Sequence, residues 1–528
     1  MRSLTFLLLP HLPLALSTSP PTTPFTSSSL LGDINSLRLS PNATVLFPTD
    51  PLFPVAVARW DPWSIPSIIV SIEAATVRDV QQVVNYVRRK KLPLLVRNTS
   101  HGFTATVAGV RGGVQLSVGG MDEVRVVKRG GKKGSESESV SESKKEEEIE
   151  KKDKGKEKET KYSIILGGGA KNAQLVETMF QAGLRTSTGG CDCVGVAGLA
   201  LGGGHGKLQG LYGVVSDVIE EVEMVTADGK VRVINERSKG EEKDLWWAIR
   251  GAGHNFGVVT KMTLKAWEKV DDDMWVDATY LYEPSKLPDL ITLLNTLPQP
   301  PTLTIFFGFL PSTSPQTQPP SIRLSLQYGG GPTNFPALME PFLSLRPFSI
   351  SNQTVPLNQI ATATGIGTGM GFCLGGSVYR GHYSAQVKKL EVDAVTEAWR
   401  FYGDVVKEPE FQGTSIVWEL YPQQRFKEID GTQSAYPWRE MDIISLFMIN
   451  FRNPTLQPRA QQLGEAAREI LHRGSGVPDL RVYVNYAQGD EGQEVWYGRG
   501  WRADKVSALK GRWDPEGVFN AYNPILVD

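Results

Sequence analysis

The chain has 528 residues, and at about 150 residues per domain this length predicts two to four domains with sizeable cores. Its 56 Lys and Arg balance 57 Asp and Glu, so it lacks the basic excess that binds a nucleic-acid backbone. Three cysteines, at 191, 193 and 373, are too few for a four-thiolate zinc site or a disulfide framework.

The N-terminus predicts an export signal. Arg2 precedes an apolar run from Leu4 to Leu16, which is shorter than the roughly 20 residues that span a bilayer, and small residues follow it. We expect a signal peptide over residues 1–17 and a secreted protein that does not insert into a membrane. An interfacial or unstructured end stays open as the alternative, because Pro10 and Pro13 interrupt the run. Asn42 and Asn352 lie in glycosylation sequons.

A strand–helix–strand unit follows. Thr76 and Asp79 have the spacing of a capping box, and valines then recur at helical spacing as far as Val87. The apolar segment Leu92–Arg97 predicts a strand that opens into the polar loop Asn98–Gly102. Such loops carry ligand-binding groups in α/β folds.

Residues 128–161 are almost entirely Lys, Glu, Ser and Gly. A segment of this composition buries too little apolar surface to offset its ordering entropy, so we expect a solvated, mobile insertion. Strand-like segments stand on both sides of it, ending at Val127 and beginning at Tyr162. The insertion is therefore predicted to lengthen the loop of a β-hairpin.

The segment Gly189–Gly206 contains eight glycines in eighteen residues. Glycine at this density suits a backbone that passes close to a flat or phosphorylated ligand and donates its amide hydrogens to it. Neither this segment nor the Gly167–Gly169 cluster is a dinucleotide fingerprint or a phosphate-binding loop. Loop structure alone stays open as the alternative explanation.

Several motifs occur together in one order: Val96–His101, Gly190–Gly195 with Gly202–Gly206, Leu211–Gly213, Asp217, Leu245–Gly251, Phe256–Thr260 and Tyr483–Tyr486. This series resembles the berberine-bridge-enzyme-like FAD-linked oxidoreductases, a branch of the vanillyl-alcohol-oxidase/PCMH flavoprotein superfamily. The resemblance covers residues 61–267 and 481–524, whereas the region between them carries little recognisable sequence.

The resemblance implies FAD held by two covalent bonds, one through His101 and one through Cys191. An imidazole nitrogen and a thiolate are nucleophiles that can add to an electron-poor ring. Cys193 is a second nearby thiol and stays open as an alternative to Cys191. Further residues are predicted to contact the cofactor: Arg97, Asn98, Thr99, Ser100, Gly102, Gly168, Gly195, Gly198, Gly202, Gly203, Gly206, Val259 and Asn485.

Tyr483 is our predicted catalytic base for a substrate hydroxyl. Tyr483 and Asn485 alternate along a predicted strand, so their side chains would share one face. A tyrosine needs help to ionise, because its unperturbed pKa is about 10. His205 is predicted to stabilise the phenolate or to act as the base itself. A structural role for either residue stays open.

Other candidates carry weaker patterns. His254 is expected to shape a turn near the cofactor, and Glu419, Tyr421 and Tyr436 are expected to line a pocket on the substrate side. No two histidines stand at ligand spacing, so we expect no metal site.

The predicted fold class is α+β. A PCMH-type FAD-binding domain of two α/β subdomains covers residues 61–268, a substrate domain with an antiparallel sheet covered by helices covers 269–478, and 479–528 returns to complete the FAD domain. The expected reaction is a two-electron oxidation of an alcohol, sugar or secondary metabolite by a monomer, with dioxygen reoxidising the flavin to give hydrogen peroxide. A dehydrogenase with another acceptor and a flavin-containing binding protein without turnover are the alternatives; Val194, at a position the family uses to gate dioxygen, favours an oxidase.

Overall fold

A computed structural model describes residues 34, 36–129, 160–269, 273–310 and 320–527. The chain divides into two units, Met1–Arg38 and Leu39–Asp528, and the elements below belong to the second. The predicted signal peptide and residues 130–159 of the predicted insertion lie outside the described residues.

The first sheet has the strand order β1-β2-β4-β3, in which β2, β4 and β3 run parallel. The predicted helix is confirmed here as α2, because Thr76 caps it in a capping box with Asp79 and the valines face the core. The elements are β1 (Thr44–Leu46), α1 (Phe53–Val57), β2 (Ile68–Glu73), α2 (Val77–Lys90), β3 (Leu94–Arg97) and β4 (Gly113–Ser117).

The second sheet has the order β5-β6-β10-β8-β9, with β7 paired to β10. Strands β5 and β6 pair antiparallel, with Lys128 opposite Tyr162. The prediction that the two segments flanking the charged insertion form one β-hairpin is therefore confirmed. The elements are β5 (Val124–Lys128), β6 (Tyr162–Gly167), α3 (Asn172–Gln181), β7 (Leu184–Arg185), α4 (Val196–Leu201), α5 (Gln209–Tyr212), β8 (Ile219–Val225), β9 (Val231–Asn235), α6 (Glu241–Ala252) and β10 (Val258–Glu268).

The third sheet has seven antiparallel strands in the order β14-β11-β13-β12-β16-β17-β15. Its elements are β11 (Met274–Tyr282), α7 (Leu287–Thr296), β12 (Leu303–Leu310), β13 (Ser321–Tyr328), α8 (Phe335–Leu343), β14 (Ser349–Pro356), α9 (Ile360–Ala363), β15 (Tyr379–Val387), α10 (Val392–Val405), β16 (Ser415–Leu420), α11 (Gln424–Glu428), β17 (Ile443–Phe451) and α12 (Gln457–Arg473). Helices α7, α10 and α12 share a core with the sheet, so the expected antiparallel sheet covered by helices is confirmed.

The C-terminal segment packs against the second sheet. Its helices are α13 (Gln493–Tyr497) and α14 (Trp501–Trp513), and their buried side chains belong to the same apolar core as β6, β8 and β10. Asn255, in the 3₁₀ turn that follows α6, donates from Nδ2 to the carbonyl of Asn523. The last 50 residues thus lie against an element more than 200 residues earlier in the chain; the domain boundaries themselves stay predictions.

Candidate active site

A cavity of about 390 Å³ lies between the first two sheets and the inner face of the third. Its walls include the loop after β3, the glycine-rich segment around α4, the start of β10 and one face of strands β12, β16, β17 and β15. Most of the predicted site residues line it: Arg97, Asn98, Thr99, Ser100, His101, Gly102, Gly168, Cys191, Gly195, Gly198, His205, Val259, Tyr483 and Asn485.

The predicted polar loop is fixed by its own side chains. Arg97 donates from Nε to Ser100 Oγ (2.6 Å), Asn98 donates from Nδ2 to the Gly168 carbonyl (2.9 Å), and Thr99 Oγ1 accepts from the Gly195 amide (3.2 Å). These bonds join three segments of the cavity wall. The Oδ1 atom of Asn98 is buried without a hydrogen-bond partner in the described part of the chain.

His101 lies in this loop and packs on Trp60, with ring centroids 5.3 Å apart. Burial, with smaller contributions from nearby cations, lowers the pKa of His101 to about 4, so the imidazole is neutral near pH 7. Its Nδ1 atom is buried and has no hydrogen-bond partner among the described residues. A neutral, unpartnered imidazole nitrogen at a cavity wall is available as a nucleophile.

Glycine serves two purposes in this site. A Cβ on Gly168 would stand 2.0 Å from the Val259 carbonyl oxygen, and one on Gly195 would stand 2.3 Å from Asn98 Nδ2, so these glycines let the wall segments approach one another. A Cβ on Gly198 would meet nothing within 4 Å, which leaves backbone open to the cavity.

Gly202, Gly203 and Gly206 were predicted to bind cofactor but do not line the cavity. Added Cβ atoms there would stand 2.2 Å from Asn485 Oδ1, 2.6 Å from the Tyr436 ring and 1.8 Å from the Thr188 carbonyl oxygen, respectively. Their small size allows the layer beneath the cavity wall to pack. Sequence spacing alone does not separate this role from ligand contact.

The cysteines divide into a pair and a single thiol. Cys193 and Cys373 form a disulfide across 180 residues, with Cα atoms 5.7 Å apart, whereas Cys191 is free and lines the cavity. The bond ties the glycine-rich segment to the loop before β15. Cys193, left open as an alternative nucleophile, has no thiol while this bond is formed.

Tyr483 and Asn485 do meet, although the predicted strand is wrong. Residues Val484–Tyr486 form a 3₁₀ turn that Tyr483 precedes. Within it Asn485 donates from Nδ2 to Tyr483 Oη (2.7 Å), and the Gly204 amide donates to the same oxygen (2.9 Å). Two N–H donors occupy the phenol oxygen, so its own hydrogen is free to point elsewhere. Burial nevertheless raises the pKa of Tyr483 well above its ordinary value.

His205 is held away from the Tyr483 hydroxyl. Its Nδ1 lies 2.7 Å from Gln209 Oε1 and its Nε2 lies 2.7 Å from Tyr436 Oη. Because an amide oxygen only accepts, Nδ1 carries the proton and Nε2 accepts from Tyr436. The ring meets the Tyr483 ring edge-on at 4.7 Å, and burial lowers the pKa of His205 to about 4. In this geometry His205 supports the aromatic wall.

Glu419 is a buried carboxyl in the cavity wall, 8% exposed. Tyr486 donates from its hydroxyl to both carboxylate oxygens, at 3.2 and 3.3 Å. Burial raises the pKa of Glu419 to about 7, against hydrogen bonds from Tyr421 and Tyr486 that favour the charged form. A carboxyl with this pKa beside a cavity suits proton transfer near neutral pH.

The sequence analysis did not single out two residues that the structure places at the site. His382, on β15, is fully buried, lines the cavity and stacks on Phe103 at 3.7 Å, with no hydrogen-bond partner for either ring nitrogen in the described chain. Lys207, 7% exposed, lies beside the glycine-rich segment. A lysine directly after a glycine-rich run is the signal that could have found Lys207, whereas the mixed sequence around His382 carries no such signal.

His254 also lines the cavity, and its Nδ1 is buried without a hydrogen-bond partner among the described residues. Its Nε2 lies 2.8 Å from the Gly198 carbonyl and its ring packs on Tyr522. Of the three substrate-side candidates, Glu419 and Tyr421 line the cavity and Tyr436 lies behind His205. No group of three or more potential metal ligands, and no helix long and apolar enough to cross a membrane, is found within the described ranges.

These features suit FAD. The cavity offers open glycine backbone for close approach, an unpartnered neutral imidazole at His101 and a free thiol at Cys191. One wall is a sheet face that is apolar apart from Glu419 and His382, and the opposite wall is backbone-rich, which matches a flat ring system. The fold and cavity therefore define an α+β flavoprotein.

Comparison with known proteins extends this assignment. Residues 151–235 match a family model described as an FAD binding domain. The FAD-linked oxidoreductase chyH of Penicillium rubens is 30% identical over 499 residues, 93% of this chain and 92% of the relative. The FAD-linked oxidoreductase chry5 of Gibberella zeae is 28% identical over 514 residues, 93% of this chain and 94% of the relative.

Solved structures share the fold. A BBE-like 1 structure from Physcomitrella patens has a TM-score of 0.75 at 20% identity, covering 95% of this chain and all of its own. A chitooligosaccharide oxidase has a TM-score of 0.76 at 17% identity, covering 95% of this chain and 99% of its own. This chain belongs to the FAD-linked oxidoreductases and has the PCMH-type fold that it shares with the BBE-like structure; it is an oxidoreductase enzyme with FAD as its cofactor.

Proposed function

We propose that this protein is a secreted, monomeric oxidase that holds FAD through His101 and Cys191, oxidises a small-molecule alcohol and passes the electrons to dioxygen to give hydrogen peroxide. The observation that carries the proposal is the pairing of nucleophiles in one cavity. His101 lines this cavity with an Nδ1 that has no hydrogen-bond partner among the described residues, and Cys191 is the free thiol once Cys193 and Cys373 have paired. The N-terminal apolar run and two exposed sequons at Asn42 and Asn352 support export.

FAD supplies the acceptor for a hydride from substrate carbon. The protein must then remove the proton of the substrate hydroxyl. The sequence predicts Tyr483 for this step, yet its raised pKa leaves the phenol protonated near neutral pH. We therefore assign the proton to Glu419, whose pKa of about 7 makes it a carboxylate in mildly alkaline solution.

Tyr483 keeps a role at the substrate oxygen. Because Gly204 and Asn485 already donate to Tyr483 Oη, the phenol hydrogen can be donated to a substrate hydroxyl in the cavity. Such a bond orients that hydroxyl for proton removal. His205 contributes by packing edge-on against the Tyr483 ring.

The sheet face that closes the cavity favours an apolar substrate body. Val417, Leu446 and Met448 alternate along neighbouring strands β16 and β17, and Phe306 stands opposite Glu419 on β12. An oligosaccharide would leave many hydroxyls without partners against such a surface, at a cost for each. Among the alcohols, sugars and secondary metabolites that the sequence left open, we favour a largely apolar alcohol.

Two measurements test the proposal. Acid-precipitated protein should stay yellow, and peptide masses should place FAD on His101 and Cys191. Turnover of an aromatic primary alcohol should release one hydrogen peroxide per alcohol oxidised. A colourless precipitate from FAD-loaded protein would contradict the covalent linkage. Turnover with an artificial acceptor but without peroxide would instead support the alternative, a dehydrogenase.

A further inference from the structure

Lys207 lies beside the segment that carries Cys191. A Cβ on Gly206 would stand 1.8 Å from the Thr188 carbonyl oxygen, so the backbone before Lys207 touches the backbone before Gly189. The Nζ atom of Lys207 stands 3.6 Å from the Cβ position of Gly190, the residue next to Cys191. The fold thus places Lys207 Nζ beside the residue that precedes Cys191, and the ammonium interacts electrostatically with the free thiol.

The surroundings of Lys207 are those of a buried cation without a fixed partner. The residue is 7% exposed, and no hydrogen bond or ion pair of its Nζ is found in the part of the chain that the structure describes. The acidic groups that face it are the Cys191 thiol and the carboxyls of Asp192, Asp277 and Glu419. A buried ammonium is costly unless nearby negative charge balances it.

Cys191 is held in place from the other side. Asn172, itself buried, donates from Nδ2 to the Cys191 carbonyl (3.0 Å) and accepts from the Gly189 amide (3.3 Å). The disulfide of Cys193 fixes the chain two residues further on. The backbone that carries the free thiol is therefore fixed on both sides of Cys191.

The positive charge of Lys207 favours ionisation of the Cys191 thiol. Burial raises the pKa of Cys191 to about 12, Glu419 and Asp192 act in the same direction, and Lys207 is the group that lowers it. A thiol in such surroundings is a poor nucleophile, because the thiolate is the reactive form.

We propose that Lys207 is the positioning residue that increases the thiolate fraction of Cys191 for attachment to FAD, an inference that rests on the bicovalent linkage proposed above. The thiol proton leaves to solvent and Sγ forms a bond to a flavin ring carbon. The hydrogen of that carbon leaves as a proton, and the ring takes up the two electrons. Dioxygen then accepts two electrons and two protons and departs as hydrogen peroxide, so the attached flavin returns to its oxidised form.

The test compares the full-length holoenzyme with three variants: Lys207→Met, Lys207→Arg and, as a matched control on an exposed lysine, Lys230→Met. Each protein is purified, and mass spectrometry measures the fraction of its Cys191 peptide that carries bound flavin. An opposite charge within about 4–6 Å shifts a pKa by roughly 1–3 units, so Lys207→Met should carry S-linked flavin at least about tenfold less often at harvest. Lys207→Arg and Lys230→Met should match the wild type.

A second measurement separates charge from structure. Harvested Lys207→Met, with flavin held through His101, is incubated with air at pH 7.5 and at pH 9.5 while the S-linked fraction is followed. Linkage should be faster at the higher pH, because hydroxide replaces the missing charge in forming thiolate. Equal linkage in Lys207→Met and the wild type would overturn the proposal, and so would linkage that stays absent at both pH values or loss of flavin altogether. Wild-type protein without S-linked flavin would instead overturn the covalent linkage on which the inference rests.

Discussion

Replacing Glu419 with Gln removes a buried carboxyl while keeping its size. The native state raises the pKa of this group from 4.5 to about 7 because burial disfavours the carboxylate. Below pH 4.5 the group is protonated in both the folded and the unfolded chain and contributes no difference. As pH rises towards 7 the unfolded chain releases its proton first, so stability is lost over this interval and the loss is complete above pH 7.

The size of the effect follows from the pKa values. Each pKa unit corresponds to about 1.4 kcal/mol, so the wild type should lose about 3 kcal/mol of unfolding free energy between pH 4.5 and pH 8 through this one group. Gln does not titrate. The unfolding free energy of Glu419→Gln minus that of the wild type should therefore be about 3 kcal/mol larger at pH 8 than at pH 4.5.

The assay is chemical unfolding of holoenzyme at both pH values, with Glu428→Gln, an exposed glutamate, as the control. The same proteins are reduced by substrate without oxygen in a stopped-flow instrument. The wild-type rate should rise with pH through about 7, and Glu419→Gln should be about 10²- to 10⁴-fold slower with no such rise. A stability difference that is equal at the two pH values, or an unchanged reduction rate, would refute this account of Glu419.

Further predictions concern the cofactor, the substrate hydroxyl and the scaffold. Tyr483→Phe should keep FAD but slow anaerobic flavin reduction about 10- to 100-fold, because the variant loses one hydrogen bond to the reacting hydroxyl. The pH dependence of the reduction rate should keep its midpoint near pH 7. An unchanged rate would remove Tyr483 from the site. His101→Ala and Cys191→Ala should each leave one flavin bond after denaturation and the double variant none, as intact masses will show. Cys373→Ser should lower the unfolding free energy by about 2–4 kcal/mol in denaturant titrations, because a long closed loop is released; no change would mean that the disulfide does not form in solution. Replacing residues 130–159 by Asn-Gly should preserve flavin loading, since β5 and β6 already end side by side; unfolded product would contradict this.

Local patterns were enough for much of this protein. The helix capped by Thr76, the hairpin around the charged insertion and the polar loop that contains His101 follow from spacing and composition over short stretches. Capping, periodicity and turn chemistry act between residues close in the chain, so the sequence displays them directly. The ordered motifs likewise identified the family and pointed to His101 and Cys191.

Tertiary structure decided which groups share an environment. Tyr483 and Asn485 meet through a 3₁₀ turn and not along a strand, and Cys193 pairs with a cysteine 180 residues away. Glu419 carries no special sequence signal, and its pKa is raised because strands β12 and β17 bury it beside the cavity. Lys207 gains its thiol neighbour from the contact of two glycine-rich segments. Burial and charge proximity depend on how distant elements pack, and no short-range pattern in the chain encodes that distance.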